Sequence, residues 1–214
     1  MVQRGYNLTD EISVLVHLLS QRVSALAHVD GGRVLHGVVQ ARSRSRYGVY
    51  AQCHALRFKH GQREQTRGKW RWVWPDIRVR GREMLYYITY FLPRFLDQPP
   101  RERLHTLIHE LYHISPKFNG DLRRFSGRNE YHGDSRAVFD GVVDGLVENA
   151  LREIDIERFA FLQHSFDGLQ EKFGSVVGNK LKRFAPRRMP SVTPVPEPQP
   201  ALALASRSQR LLFP

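Results

Sequence analysis

Cysteine is nearly absent: the 214-residue chain has one, Cys53. A single thiol closes no internal disulfide and builds no CxxC zinc ribbon, so the reading is a reducing compartment. Cys53 lies in the apolar-alternating stretch from Tyr47 to Phe58, where a buried structural thiol is expected rather than a nucleophile. Long apolar runs are missing too. No stretch reaches the roughly 18 apolar residues of a membrane span, and the N-terminus lacks the apolar core and small-residue cleavage site of a secretory signal. These absences lead to the expectation of a cytoplasmic protein with no membrane partner. Acidic residues are also scarce, with Asp+Glu 21 against Lys+Arg 33 and a net charge of +12. Such an imbalance favours polyanionic partners, nucleic acid first among them. A solvated basic surface explains it equally well.

A hydrophobic fraction of 41% and an aromatic fraction of 11% suit a folded domain. Apolar residues at helical spacing from Ile12 to Leu26 predict a first helix capped by Thr9 or Asp10. After the turn signal Asp30-Gly31-Gly32, strands are expected at residues 33–39, 47–58 and 70–74, arranged as a meander. In the last of these, Trp70, Trp72 and Trp74 alternate with Arg71 and Val73. That pattern suits, first, a sheet face packed on a core with the arginines in solvent, and second, a stacking platform for single-stranded nucleic acid. The run from Glu83 to Leu92 reads as a strand whose exposed edge could take an extended peptide. Helical spacing returns between Ser135 and Phe161. Beyond it lie Lys180, Lys182, Arg183, Arg187 and Arg188, a candidate phosphate-contacting arm, and then a run of prolines from Pro190 to Pro200. The expected division is a domain over residues 1–165, a basic extension over 166–189 and a disordered Pro-rich tail over 190–214.

The chemistry concentrates in Thr106-Leu107-Ile108-His109-Glu110-Leu111-Tyr112-His113. On a helix, residues i and i+4 share a face, so His109 and His113 can aim at one ion. Leu104, Leu107, Ile108 and Leu111 supply the apolar face that makes this segment a helix, from about Pro99 to Ile114, with Asp97 as a cap. Neutral imidazoles hold a zinc ion, an open position keeps a water, and Glu110 takes that water's proton as it attacks a carbonyl. A catalytic zinc takes a third protein ligand. His132 is the choice, with Glu130 and Asp121 as alternatives, or otherwise as partners that orient a histidine. Tyr131 or Arg128 is placed to help stabilise an oxyanion.

His109-Glu110-Leu111-Tyr112-His113, Gly120-Asp121-Leu122-Arg123-Arg124-Phe125, and Gly127-Arg128 through His132-Gly133 together resemble a phage metallopeptidase family of bacteriophages and prophages. The resemblance covers about Tyr6 to Ala150. More distantly the chain is similar to SprT-like zinc peptidases, in which a histidine–glycine pair after the zinc helix supplies the third ligand. Membership would imply a zincin-like α+β domain: an N-terminal helix, a small mostly antiparallel sheet, the HExxH helix beside an edge strand, and C-terminal helices. It would also imply one zinc per chain held by His109, His113 and His132, Glu110 as general base, a protein or peptide substrate, and the cytoplasm of a bacterial host cell. The competing expectation is a DNA-binding protein with a structural metal, or a peptidase acting on DNA-associated proteins.

Overall fold

The structure, a computed structural model, describes residues 5–126 and 129–190. The Pro-rich segment 191–214 lies outside the described residues. The elements run in the order β1 (Tyr6–Asn7), α1 (Leu8–Arg22), β2 (Val34–Gln40), β3 (Ala51–Ala55), β4 (Glu64–Arg67), β5 (Trp70–Val73), β6 (Arg78–Val79), β7 (Arg82–Glu83) and β8 (Tyr86–Leu92). Then come α2 (Pro100–Tyr112), α3 (Arg136–Glu153), α4 (Ala160–Gln163), α5 (Phe166–Phe173), β9 (Val176–Val177) and β10 (Arg187–Pro190). The architecture is mixed α+β. None of the helices among the described residues is by itself long and apolar enough to cross a membrane.

The central sheet has the order β2-β8-β3, with β2 parallel and β3 antiparallel to β8. The expected meander does not form here, because β8 inserts between β2 and β3. Nor is β8 an edge strand. Residues Tyr86 to Tyr90 are all buried, and a run of aromatic and β-branched residues without polar alternation is the pattern of a strand covered on both faces. The edge beside α2 belongs to β3. Phe91 donates its N–H to Tyr50 O, and Leu56 donates to Leu85 O. Even-numbered residues of this segment therefore face β8, while the backbone polar groups of Ala51, Cys53 and Ala55 turn outward.

The helices pack on one another through narrow apolar stripes. Leu8, Ile12, Leu15, Val16 and Leu19 of α1, Leu104, Leu107, Ile108 and Leu111 of α2, and Phe139, Val143, Leu146, Val147 and Ala150 of α3 join one core with Tyr86, Ile88 and Tyr90. Asn7, rather than Thr9 or Asp10, caps α1, its side chain accepting from Asp10 N. Pro99 occupies the N-cap of α2, so the expected cap at Asp97 is not used. At the start of α3, Ser135 accepts from Val138 N, a cap of about 1 kcal/mol. Residues 166–190 pair back onto the preceding chain: β9 runs parallel to β1, and β10 joins β5 and β4 in a second three-stranded sheet of order β10-β5-β4.

Candidate metal centre

His109 lies in the last turn of α2 and His113 is its C-cap, still in helical conformation. One turn of helix thus brings their Nε2 atoms to 3.1 Å. Two nitrogens that each bond a tetrahedral ion at 2.0–2.1 Å would sit about 3.4 Å apart, so the pair is close to chelating distance.

The third imidazole arrives through a folded return. After α2 the chain turns back, with an isolated bridge between Ile114 and Leu122 and Arg123 N donating to His113 O. A second bridge pairs Asn129 with Gly133, and the Asn129 side chain accepts from Tyr131 N and His132 N. Gly133 has φ +70, a region that costs an L side chain about 1–2 kcal/mol. The resulting tight loop points His132 at the helix pair. One nitrogen from each of His109, His113 and His132 falls within 4.8 Å of the others, and together they can hold one metal ion.

Phe139 of α3 floors this cluster, its ring centroid 4.8, 4.9 and 5.0 Å from those of His109, His113 and His132. Burial disfavours the imidazolium form. It brings His109 down to about 4 against the opposing pull of Asp140, with His132, His105 and Arg136 adding to the drop. Burial, then the charges of His109, His132 and Arg123, bring His113 down to about 3. His132 is lowered as well, by burial and then Arg136. Near neutral pH these three side chains are therefore uncharged, the form a metal requires.

Glu110 is the buried carboxylate beside them. Its Oε2 accepts the outward N–H of Cys53 at 2.6 Å, which fixes α2 to the free edge of β3. Burial pushes its carboxyl up to about 7, while the Cys53 N–H and Arg136 oppose the rise. A carboxyl near 7 can take up and release a proton at neutral pH. The Cys53 thiol is itself buried and pushed up, first by burial and then by Glu110, which fits a structural role.

A cleft of about 660 Å³ opens over the cluster, bordered by β3 on one side and by Tyr131 and His132 on the other. A second hollow, which shares His109, Glu110 and Arg136 with the first, is lined by Tyr50 and Ala51. Together they form a groove along the β3 edge.

The other expected residues separate. Tyr131 lines the cleft. Arg128 lies outside the described residues. Asp121 is not at the cluster: it accepts from His60 N and from the Arg124 guanidinium, fixing the loop. Glu130 is likewise turned away, paired with Arg124 and with Lys59. The carboxylate that does approach a cluster histidine is Asp140, whose Oδ1 lies 3.3 Å from His109 Nδ1, an arrangement that can orient the ring and raise its basicity. The sequence carries a signal for it: Arg101, His105 and His109 recur every four residues on α2, as do Asp140, Asp144 and Glu148 on α3. The two series meet in register, with Arg101 on Asp144 and Glu148 and His105 facing Asp144. Lys180, Lys182, Arg183, Arg187 and Arg188 are exposed, as an electrostatic arm requires, and Arg183 also borders the cleft. Compared with family models, curated proteins and solved structures, the chain matches none.

Proposed function

We propose that the chain is a zinc-dependent metallopeptidase. The observation that carries this reading is three neutral imidazoles converging within 4.8 Å, next to a buried glutamate, on an open groove. Three nitrogen donors suit zinc, and a catalytic site uses three protein ligands where a structural one closes four around the ion. Among the described residues the cluster numbers three. When bound, zinc would lower the pKa of a coordinated water and polarise a carbonyl.

The chain's own residues supply the rest. Glu110, held by Cys53 N–H, accepts a proton from the attacking water and delivers it to the leaving amine. Tyr131 stands at the mouth of the cleft, where its hydroxyl can donate to a developing oxyanion. Asp140, 3.3 Å from His109 Nδ1, is near enough to orient that ring. The outward N–H and C=O groups of Ala51 and Ala55 on β3 match an extended peptide added as a further strand, which would lay its backbone along the groove over Glu110.

The test is hydrolysis of an unfolded protein substrate by the zinc-loaded chain and by Glu110→Gln. Loss of the general base should lower turnover by about 10²–10⁴-fold while zinc content stays at wild-type level. Full turnover by the variant would remove Glu110 from the reaction.

A further inference from the structure

The second sheet carries a surface that the metal centre does not use. Along β5 and its continuation, Trp74 stands at the end of the face that carries Trp72 and Trp70 and packs on the small core of Leu56, Met84 and Tyr87. Trp70 and Trp72 are half-buried and belong to neither core. Residues opposite one another in an antiparallel ladder share a face. The register sets Trp72 between Gln65 and Arg188, and Trp70 between Arg67 and Pro190. On the reverse face, Val73 lies between Glu64 and Arg187, and Arg71 between Thr66 and Met189. Glu64 is the one carboxylate in β4, β5 and β10, and it is occupied on that reverse face by Arg71 at 3.0 Å.

The tryptophan face is therefore aromatic and cationic without an acid. Arg67, Lys69 and Arg188 are exposed. The Arg188 guanidinium carbon lies 4.3 Å from the Trp70 ring centroid, and Lys69 Nζ lies 5.8 Å from it.

We propose that this face binds single-stranded nucleic acid. Trp70 and Trp72 would stack on unpaired bases, and Arg67, Lys69 and Arg188 would meet the phosphates. Rings edged by cations suit a partner with exposed π-faces and a repeating negative charge. The chain's net charge of +12 supplies the wider attraction. A duplex keeps its base faces stacked inside, so it would gain only the phosphate contacts. Two segments that look unrelated in sequence, the tryptophan strand and the basic arm, make this surface jointly because β10 pairs with β5.

The experiment uses the full chain and a fluorescently labelled 20-nucleotide oligo-dT, read by anisotropy together with tryptophan emission. Neither readout needs metal or peptidase activity, so failure here leaves the peptidase reading untouched. Expected are binding with tryptophan quenching, and affinity for a duplex of equal length lower by about tenfold or more. Trp72→Ala should weaken binding by about 5- to 100-fold, while Trp70→Phe/Trp72→Phe should retain most of it. Lys69→Gln/Arg188→Gln, two surface changes remote from both cores, should reduce the slope of log K against log salt by about 0.7 per cation removed. Should Trp72→Ala not fold, the phenylalanine and glutamine variants decide the matter. No binding, duplex binding as tight as single-strand binding, or affinity indifferent to the tryptophan and cation changes would each overturn the proposal.

Discussion

His36 is a histidine buried in the central sheet away from the metal cluster, with Nδ1 3.2 Å from the Tyr90 hydroxyl and Nε2 left without a partner. Burial brings it down to about 4 from an ordinary 6.5. The folded chain thus protonates it only below about 4, whereas the unfolded chain does so below about 6.5. Between those values the unfolded state binds more protons, so stability is complete above about pH 6.5 and declines as pH drops toward 4. The slope approaches 1.4 kcal/mol per pH unit, and the whole loss is about 3 kcal/mol. Urea unfolding at pH 7, 6, 5 and 4.5 should show the curves of wild type and His36→Gln converging as pH falls, because the variant has no such proton to take up. Curves that stay parallel would mean that the buried imidazole contributes nothing to acid sensitivity. Glu110 and His113 offer a contrast in legibility. Their spacing announced a site without any structure, whereas nothing local marks His36 as buried, since its burial comes from the pairing of β2 with β8.

The candidate metal centre is shared between α2, the loop that carries His132, and α3, which brings Phe139 and Asp140, and this is why the sequence disclosed half of it more readily than the rest. His109, Glu110 and His113 share one helical turn, and periodicity alone places them. His132 was reachable as the next histidine in a glycine-bounded turn. Asp140 shows only as one of a spaced series of acids, and its role depends on which face of α3 meets α2. Asp121 and Glu130, near His132 in sequence, instead hold Arg124. The same limit applied to the sheet: residues 83–92 were readable as a strand, but strand order is a non-local property, and the free edge proved to be β3. The pairing of α2 with α3 has a measurable consequence. Asp140→Asn keeps the shape beside His109 Nδ1 and removes the charge, so zinc affinity, read by competition with a chromophoric chelator, should fall about 10- to 100-fold. Asp144→Asn, which faces His105 rather than a cluster histidine, should leave it unchanged. Equal affinity in wild type and Asp140→Asn would reduce the α2–α3 contact at this point to packing.

At the scale of the whole molecule, the basic arm belongs to the fold while presenting its charges outward. Asn179 O accepts from Val38 N, and Thr9 Oγ1 accepts from Asn179 N. Leu181 lies so close to Gly37 that a Cβ there would come within 2.5 Å of its Cγ. Phe184 meets the Tyr87 ring edge-on at 5.2 Å. Leu181 and Phe184 thus cover the small core of Leu56, Met84 and Tyr87, and β10 then completes the second sheet. In the sequence the run of cations hid this, because two apolar residues among them make no periodic pattern long enough to stand out. If the arm were an accessory tail, removing it would leave the rest as stable as before. The docking contacts require otherwise. A half-buried leucine and phenylalanine together account for about 2–4 kcal/mol of apolar burial, and the ladder with β5 is lost with them. A chain ending at Gly178 should therefore melt roughly 5–15 °C below one ending at Pro190, at about 2–4 °C per kcal/mol for a protein of this size. It should also expose Tyr87 and Trp74, neighbours of the metal cleft, so its cleft should be more open to solvent even where its zinc affinity survives. Equal melting temperatures for the two chains would show that the arm rests on the surface without holding it.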